Sequence, residues 1–353
     1  MRVLVTGCAG FIGFHVARRL LSQGHHVDGI DSINDYYNPE LKYARLSELG
    51  VGRESGQWGR RIGSTRYPGL FFTRMALEDT PLIEKLFEAD KFDTVINLAA
   101  QAGVRYSIDR PHEYVSANLA GFMNVLEGCR TQKTPHLIYA SSSSVYGLNA
   151  ARPFSVQDHT DHPASLYAAT KKANEMMAHA YCHLYGIPAT GLRFFTVYGP
   201  WGRPDMAYFK FARAIRAGRS IDLYNHGDMM RDFTYIDDVV EAVVHAMIHI
   251  PGPDPQFDPQ RPNPSSSTAP YRIYNVGNTS PVRLGDFVNA IEKATGKEAV
   301  VNYLPMQPGD VYATEADITE TEQLLSWRPR TELSRGIGLF ITWLDKYEKA
   351  FPA

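Results

Sequence analysis

A strand, a glycine-rich turn and a helix at the start of the chain limit its possible folds more than any other feature. Residues 2–6 are predicted to form a short buried strand, and residues 11–23 carry apolar side chains at helical spacing. Gly7, Gly10 and Gly13 recur at every third position across this junction. Glycine allows a backbone to approach a pyrophosphate closely, and a helix N-terminus offers it free N–H groups. The pattern predicts a dinucleotide-binding unit.

An aspartate follows this unit where such a site needs one. Asp31 ends a second predicted strand, 27–31, and lies 18 residues after Gly13. A carboxylate there can accept hydrogen bonds from both hydroxyls of the adenosine ribose, and it repels a 2′-phosphate. No arginine follows among residues 32–35, so NAD is favoured over NADP. The alternative is a plain tight turn followed by a surface aspartate.

The first half of the chain continues to alternate short buried runs with helical stretches. This alternation is typical of a parallel sheet with helices on both faces. We therefore predict an α/β fold, a Rossmann-type doubly wound parallel sheet with a smaller C-terminal substrate-binding domain. Further strands are predicted at 93–98, 137–141 and 189–195, and helices at 81–89, 114–129 and 164–185.

The predicted domain boundary lies where the alternation becomes irregular. Residues 1–195 are assigned to the NAD-binding domain and 196–353 to a smaller substrate-binding domain, with 233–278 partly returning to the first. Residues 51–70 show no periodicity and are predicted to be a loop. Residues 251–270 contain seven prolines, so we expect them to be mobile and to form no packed element.

Composition excludes several classes of function. The formal charge is −2, with 44% hydrophobic and 21% charged residues, which excludes a basic nucleic-acid surface and an acidic disordered tail. No apolar run reaches the roughly 18 residues of a membrane span, and the N-terminus lacks the apolar region of a signal peptide. Three cysteines leave an odd count without metal-type pairing, which favours a protein of the reduced cytosol. We therefore expect a cytoplasmic protein with no nucleic-acid or membrane partner.

A tyrosine and a lysine provide the first candidate catalytic pair. Tyr167 and Lys171 lie four residues apart on one face of the predicted helix 164–185. Chance predicts about 0.6 such pairs in a chain with 20 tyrosines, so the spacing alone is weak evidence. The chemistry is stronger, because an adjacent ammonium stabilises a phenolate that can act as a base. Serines 141–144 end a predicted strand, where α/β sheets bind ligands.

Taken together, these motifs resemble the extended short-chain dehydrogenase/reductase family, in particular its nucleotide-sugar epimerases and dehydratases. The resemblance covers nearly the whole chain except the two loops. It implies that Ser142 is the catalytic hydroxyl, Tyr167 the base and Lys171 the residue that holds the nicotinamide ribose. One departure is Ala76, where the family usually has an aspartate that binds adenine. The NAD contacts that the resemblance implies are Gly7, Gly10, Phe11, Ile12, Gly13, Asp31, Leu77, Ala99, Tyr167 and Lys171.

Residues beside the implied catalytic serine, and several segments elsewhere, indicate which branch of the family the chain resembles. Dehydratases and UDP-glucuronate decarboxylases of the family carry acids beside the catalytic hydroxyl, and this chain has Ser143 and Ser144 there. Segments 34–37, 101–107, 202–207 and 306–311 resemble the branch that epimerises C4 of UDP-glucuronate to UDP-galacturonate. Thr196 agrees, because UDP-galactose 4-epimerases usually have asparagine at that position. UDP-glucose/UDP-galactose 4-epimerisation and a non-catalytic NAD-binding sensor of the same fold are the alternatives.

The same resemblance implies a UDP-sugar site, a homodimer and no metal. Arg231 would clamp the diphosphate, and Arg105 is a weaker candidate that could equally be a solvated side chain. His179 and His183 have metal-ligand spacing, but Ala180 stands where a zinc protease needs glutamate. Helices 114–129 and 164–185 would form a four-helix dimer interface, or else simply pack on their own sheet. The implied UDP-sugar contacts are Asn118, Ser143, Ser144, Thr196, Arg203, Asp222, Tyr224, Arg231 and Asp310.

Overall fold

The computed structural model describes residues 1–306 and 311–351 as an α/β protein built on one large sheet. The strands are β1 (Arg2–Thr6), β2 (His26–Asp31), β3 (Arg61–Gly63), β4 (Leu70–Arg74), β5 (Thr94–Asn97), β6 (Leu137–Ser142), β7 (Ala189–Phe194), β8 (Thr196–Tyr198), β9 (Ser220–Leu223), β10 (Met230–Arg231), β11 (Phe233–Tyr235), β12 (Tyr271–Val276), β13 (Val282–Arg283) and β14 (Val300–Tyr303).

The α-helices alternate with these strands in the first half of the chain and cluster in the second. They are α1 (Phe11–Ser22), α2 (Glu40–Glu48), α3 (Thr80–Ala89), α4 (Tyr106–Asp109), α5 (Pro111–Tyr114), α6 (Gly121–Gln132), α7 (Leu166–Tyr185), α8 (Ala207–Arg216), α9 (Ile236–Ile248), α10 (Leu284–Thr295), α11 (Thr319–Leu325) and α12 (Leu333–Ala350).

The large sheet has the strand order β12–β7–β6–β5–β1–β2–β4–β3. All neighbours are parallel except β3, which pairs antiparallel with β4. The strand order reverses between β1 and β5, so a crevice opens at the carboxyl ends of these two strands. The predicted doubly wound parallel sheet is confirmed.

Alternating side chains of the strands face two separate cores. Val3 and Val5 of β1 lie in a core shared with α1 and α9, while Leu4 lies in a second core with α3 and α6. Each face of the sheet is therefore covered by helices, which is why its strands read as continuous apolar runs rather than as alternating ones. None of the helices in the described part of the chain is long and apolar enough to cross a bilayer.

The second half of the chain adds short two-stranded sheets and returns to the large sheet. β8 pairs with β11, β9 with β14, and β10 with β13, and α8, α10 and α12 pack around them. β12 then pairs in parallel with β7 of the large sheet. Helix α9 lies against α1, and a salt bridge joins Arg19 to Glu241.

The segment 51–70 is more ordered than predicted. It contains β3 and a 3₁₀ turn at Arg53–Gly56, and Arg61 forms ion pairs with Asp28 at 2.5 Å and Asp90 at 3.3 Å. Strand β4, which pairs with β2, was missing from the predicted strands. The loop prediction failed because β3 is stabilised by pairing with β4, a tertiary contact that periodicity does not report.

The C-terminal part of the proline-rich segment 251–270 also packs, contrary to the prediction that no part of it would. It forms no helix or named strand, but Ser265, Ser266 and Ser267 are buried. Ser266 donates to Asp254 at 2.7 Å, and Ile273 of β12 donates its N–H to the Ser265 carbonyl at 2.9 Å. The prediction failed because hydrogen bonds from these serines and aspartates replace the apolar periodicity that the segment lacks.

Candidate active site

A cavity of about 1390 Å³ lies at the carboxyl ends of the large sheet and is closed on its other side by the second half of the chain. It runs from the glycine turn to the segments around Arg203 and Arg231. Most residues predicted to bind or react meet in this one space. The cavity wall contains Gly7, Gly10, Phe11, Ile12, Gly13, Asp31, Leu77, Ala99, Ser142, Ser143, Ser144, Tyr167, Lys171, Thr196, Arg203, Asp222, Tyr224 and Arg231.

The glycine turn has the shape that a pyrophosphate requires. Gly7 has a φ of +69°, and a Cβ placed on Gly13 would lie 2.1 Å from the Gly7 carbonyl oxygen. Helix α1 starts directly after Gly10 with no side-chain cap and no acid in its first turn. Its first N–H groups therefore line the cavity without a competing side chain, which suits an anionic ligand.

The carboxylate of Asp31 marks the ribose end of the cavity. Asp31 is buried and accepts a hydrogen bond from the Ile33 N–H at 2.8 Å. The ammonium of Lys42 lies 3.6 Å from the same oxygen and donates to Asn34 at 2.7 Å. Ala76 and Leu77 follow β4 at this end of the wall, so these residues fit the adenosine half of NAD apart from the missing aspartate at position 76.

The loop after β5 is held close to β1 by the hydroxyl of Thr6. This hydroxyl donates to Asn97 Oδ1 at 2.7 Å and accepts from the Ala99 N–H at 3.0 Å. A Cβ on Gly7 would lie only 2.9 Å from the Ala99 nitrogen. The two loops that border the crevice thus contact each other directly, which leaves no room for a side chain at position 7.

The serine run forms a tight turn at the end of β6. Ser142 ends the strand, and its hydroxyl accepts from the Ser144 N–H at 3.2 Å while lying 3.1 Å from the Ser144 hydroxyl. A 3₁₀ turn at Ser143–Tyr146 follows and ends at Gly147, which has a φ of +53°. The turn places the hydroxyls of Ser142, Ser143 and Ser144 along one stretch of the cavity wall.

Helix α7 supplies the tyrosine and the lysine. Ser165 caps the helix by accepting from the Ala168 N–H at 3.1 Å, so Tyr167 lies in the first turn and Lys171 one turn later. The Lys171 ammonium donates to the Ala140 carbonyl of β6 at 2.9 Å. Both side chains therefore reach the end of the strand that carries Ser142.

Burial governs the proton affinities of this pair. Burial lowers the pKa of Lys171 to about 8, because desolvation disfavours its charged form. Burial also raises the pKa of Tyr167, although a hydrogen bond with Ser142 and the charge of Arg203 oppose the rise. The free protein therefore holds a neutral phenol one helical turn before a lysine that can still be charged near neutral pH, and additional positive charge would favour the phenolate.

Two further residues hold this constellation together and were missed by sequence reasoning. Glu175 lies one helical turn beyond Lys171 and is buried, and it accepts hydrogen bonds from Arg193 of β7 at 2.8 and 2.9 Å and from the Ser141 hydroxyl at 2.7 Å. Although burial opposes its ionisation, Arg193 holds the pKa of Glu175 below its usual value. The available signal was a glutamate continuing the four-residue spacing of Tyr167 and Lys171.

Charged residues of the second half line the opposite wall. Arg203 forms a forked ion pair with Asp205, at 3.0 and 2.5 Å, and Tyr36 donates to the same aspartate at 3.1 Å. Arg231 donates to the carbonyls of Met230 at 2.9 Å and Tyr312 at 3.1 Å. These contacts fix two guanidinium groups in the wall, and guanidinium groups suit phosphate or carboxylate recognition.

The predicted nucleoside contacts lie farther along the same wall. The guanidinium of Arg105 lies 5.0 Å from the ring centre of Tyr224, so the two walls of the cavity touch at this point. Asp222 is exposed and accepts from the Asn302 side chain at 3.1 Å. Asp310, the remaining predicted nucleoside contact, lies outside the described residues.

Asn118, a predicted UDP-sugar contact, is not among the residues that line the cavity. It is buried in a single π-helical turn, Val115–Ala120. Its side chain accepts from the Gln101 N–H at 2.8 Å and donates to the Gln101 carbonyl at 3.0 Å and to Thr170 at 3.1 Å. Its amide is thus engaged in holding the loop that follows β5, because the irregular turn directs it inward.

His179, and a second histidine pair with the same four-residue spacing, His245 and His249, make ordinary contacts within the fold. His245 bonds the Leu325 carbonyl at 2.7 Å, and His249 bonds the His245 carbonyl at 2.7 Å. His179 packs edge-on against Tyr271, with ring centres 5.1 Å apart. Within residues 1–306 and 311–351, no group of three or more His, Cys, Asp or Glu side chains is arranged to hold a metal ion.

A glycine turn at a helix N-terminus, a ribose carboxylate and a Ser–Tyr–Lys set at the edge of one parallel sheet define a dinucleotide-dependent enzyme. The chain belongs to the NAD dependent epimerase/dehydratase family, whose model matches residues 3–277. NAD is accordingly the cofactor that the glycine turn and Asp31 accommodate.

Individual relatives and a solved structure show which members of the family this chain is similar to. The chain is 51% identical to Protein CapI of Staphylococcus aureus, over 99% of this chain and 100% of that protein. It is 45% identical to UDP-glucuronate 4-epimerase 4 of Arabidopsis thaliana, over 98% of this chain and 75% of that protein. The crystal structure of a Bacillus cereus UDP-glucuronic acid 4-epimerase with UDP-glucuronic acid and NAD superposes with a TM-score of 0.81 at 30% identity, covering 98% and 100% of the two chains.

Substitution of Lys171 by methionine tests the burial of its charge. The folded protein releases the lysine proton at about 8 instead of the ordinary 10.5, so wild-type stability should increase with pH between these values. Below pH 8 the buried ammonium lowers the stability of the wild type. At pH 7 the free energy of unfolding of Lys171→Met should therefore exceed that of wild type by about 1–3 kcal/mol, and the variant should unfold at a higher temperature.

That advantage should shrink towards pH 10, where the folded wild type no longer carries the charge. Thermal unfolding followed by circular dichroism at pH 7 and pH 10 measures the difference. The exposed Lys85 of α3 provides the control, since Lys85→Met should show no such dependence. A Lys171→Met protein that is equally destabilised at both pH values would contradict the lowered pKa of Lys171.

Proposed function

We propose that this protein interconverts UDP-glucuronate and UDP-galacturonate by epimerisation at C4, with NAD as its cofactor. The observation that carries the proposal is the meeting of Ser142, Tyr167 and Lys171 in one cavity with three neutral hydroxyls, those of Ser143, Ser144 and Thr196. The similarity to UDP-glucuronate 4-epimerases from Arabidopsis thaliana and Bacillus cereus supports the choice of substrate.

The reaction divides between the protein and its cofactor. NAD, when bound, supplies the reversible hydride acceptor. Tyr167 removes the proton of the C4 hydroxyl as oxidation proceeds, with Ser142 bridging the two oxygens, and Lys171 favours the phenolate through its charge. The 4-keto sugar would then turn about its diphosphate, which Arg231 would hold, and present its opposite face to NAD, which the glycine turn and Asp31 would hold and which would supply the re-reduction. Tyr167 returns the proton, so the cycle ends without net oxidation.

Product analysis with two substrates tests this function. Incubation with UDP-glucuronate and NAD should yield UDP-galacturonate, whereas UDP-glucose should yield little UDP-galactose, as resolved by anion-exchange chromatography.

Tyr167→Phe should lower kcat by roughly 10²- to 10⁴-fold, because a general base is lost, while NAD binding is retained. Tyr185→Phe, on the exposed end of the same helix, should behave as wild type. In the comparison of the two substrates, conversion of UDP-glucose alone would refute UDP-glucuronate as the substrate, and a UDP-pentose as main product would indicate a decarboxylase.

The neutral hydroxyls have a specific task in this proposal. Oxidation at C4 of a glucuronate creates a β-keto acid, which loses CO₂ when its carboxylate bond aligns with the ketone π-system. Thr196 is the first residue of β8, two positions after the end of β7, and it lines the cavity together with Ser143 and Ser144. Hydroxyl donors at these positions would hold the carboxylate out of that alignment without adding an acid.

Removing one donor should therefore increase decarboxylation. Thr196→Val keeps the side-chain shape but loses the hydroxyl, and it should raise the ratio of UDP-pentose to UDP-galacturonate by roughly tenfold, the effect of one hydrogen bond to a charged group. Ser143→Ala should act in the same direction, whereas Thr196→Ser should keep the wild-type ratio. The ratio is measured by chromatography and CO₂ release, and an unchanged ratio in Thr196→Val and Ser143→Ala would refute the role of the hydroxyls.

A homodimer is proposed through the paired helices α6 and α7. The two helices pack against each other, and their outer surface exposes Met123, Met176 and Leu184 by 38%, 65% and 66%. Met176 and Leu184 lie eight residues apart, on one face of α7. Four such helices from two chains would cover these side chains, in agreement with the family resemblance.

A charge on this face should separate the chains. Met176→Asp and Leu184→Asp should each shift the mass measured by analytical ultracentrifugation from dimer towards monomer, because dimerisation would bury an unpaired carboxylate. Leu148→Asp provides the control, since Leu148 is 73% exposed on a loop outside both helices. A wild-type protein that sediments as a monomer, or a dimer that both α7 variants leave intact, would exclude this interface.

A further inference from the structure

The segment 51–70 brings an aromatic ring to the adenosine end of the cavity. Trp58 belongs to this segment and lies in the cavity wall with Asp31 and Ala76. Its side chain is 50% exposed, so part of the indole surface is available to a ligand in the cavity. Sequence reasoning assigned no role to Trp58, because it treated the whole segment as a loop.

The backbone around Trp58 is fixed on both sides by Arg74. The Gly59 N–H donates to the Arg74 carbonyl at 2.8 Å, and Arg74 Nη1 donates to the Gly56 carbonyl at 2.8 Å. The indole N–H of Trp58 donates to Asp79 at 3.0 Å, and the Arg74 guanidinium lies 5.8 Å from the ring centre. The ring is therefore held in place before any ligand arrives, which reduces the entropy that binding must overcome.

The register of the sheet places Trp58 next to the adenosine subsite. Arg74 of β4 is the direct neighbour of Asp31 of β2, and Trp58 forms a parallel bridge with Arg74. A dinucleotide whose ribose bonds Asp31 extends its base beyond the end of β2, over the end of β4. At that place the wall offers the methyl group of Ala76 and the indole of Trp58.

We propose that Trp58 stacks on the adenine ring of the bound dinucleotide and provides by ring contact part of the recognition that Ala76 lacks. This proposal rests on the NAD dependence of the proposed function and adds a cofactor-binding residue to it. Stacking between a base and an aromatic side chain is favourable for any base and needs no hydrogen-bond acceptor. The segment 51–70 thus serves as a wall of the adenine subsite.

Binding of ADP-ribose, which keeps the adenosine and pyrophosphate of NAD and lacks only its nicotinamide ring, tests the proposal directly. Isothermal titration of nucleotide-free protein should show ADP-ribose and NAD binding to Trp58→Ala roughly 5- to 100-fold more weakly than to wild type, the range of one base stack. Trp58→Phe keeps an aromatic face and should stay within roughly fivefold of wild type. Tyr303→Ala removes an aromatic ring that is 61% exposed outside the cavity, and it should bind as wild type.

A second measurement separates the adenine subsite from the nicotinamide end. Nicotinamide mononucleotide, tested as competitor of NAD, should bind equally to wild type and Trp58→Ala. Wild-type affinity of Trp58→Ala for ADP-ribose would overturn the stacking role while leaving the epimerase function intact, and equal losses for ADP-ribose and nicotinamide mononucleotide would overturn it as well. A wild-type protein that binds no NAD would instead refute the proposed function.

Discussion

The buried ion pair between Glu175 and Arg193 is the contact on which the catalytic arrangement depends. It joins helix α7 to β7, and the Ser141 hydroxyl extends it to β6. Lys171 adds a second link one turn earlier, through the Ala140 carbonyl. Consecutive residues of β6 are thus tied to residues four apart on α7. Because a buried charge is costly without its partner, the pair tolerates little displacement of the helix, and the hydroxyl of Ser142 stays in register with the ring of Tyr167.

This rigidity matters because the reacting groups are poorly solvated. A buried phenol resists ionisation, and a buried lysine gives up its proton more easily than in water. Both effects weaken if the cavity opens to solvent. The opposite wall limits such opening, since Arg203, Asp205 and Tyr36 connect the second half of the chain to the loop after β2. The contacts that keep the cavity closed therefore also help to keep the pKa values of Tyr167 and Lys171 shifted.

Local patterns in the sequence were sufficient for the fold class and for those cavity-lining residues whose spacing is local. The glycine turn, Asp31 and the Tyr167–Lys171 pair each depend on spacing within one element or between adjacent ones. Glu175 with Arg193, Trp58 with Arg74, and the inward orientation of Asn118 depend on contacts between distant segments, which spacing does not reveal. The order within 51–70 and 251–270 was missed for the same reason. The cytoplasmic location and the domain boundaries stay predictions.

Those two segments occupy opposite margins of the large sheet. The three-residue strand β3 covers β4 at one margin and carries the ion-paired Arg61, while the proline-rich segment borders β12 at the other through the Ser265 carbonyl. An uncovered margin would present free N–H and C=O groups on which a second molecule could build further strands. Prolines have no N–H to offer, and a charged, very short strand is a poor template. The parts of the chain with the least regular structure thus cover the edges of β4 and β12, where pairing with another molecule would otherwise begin.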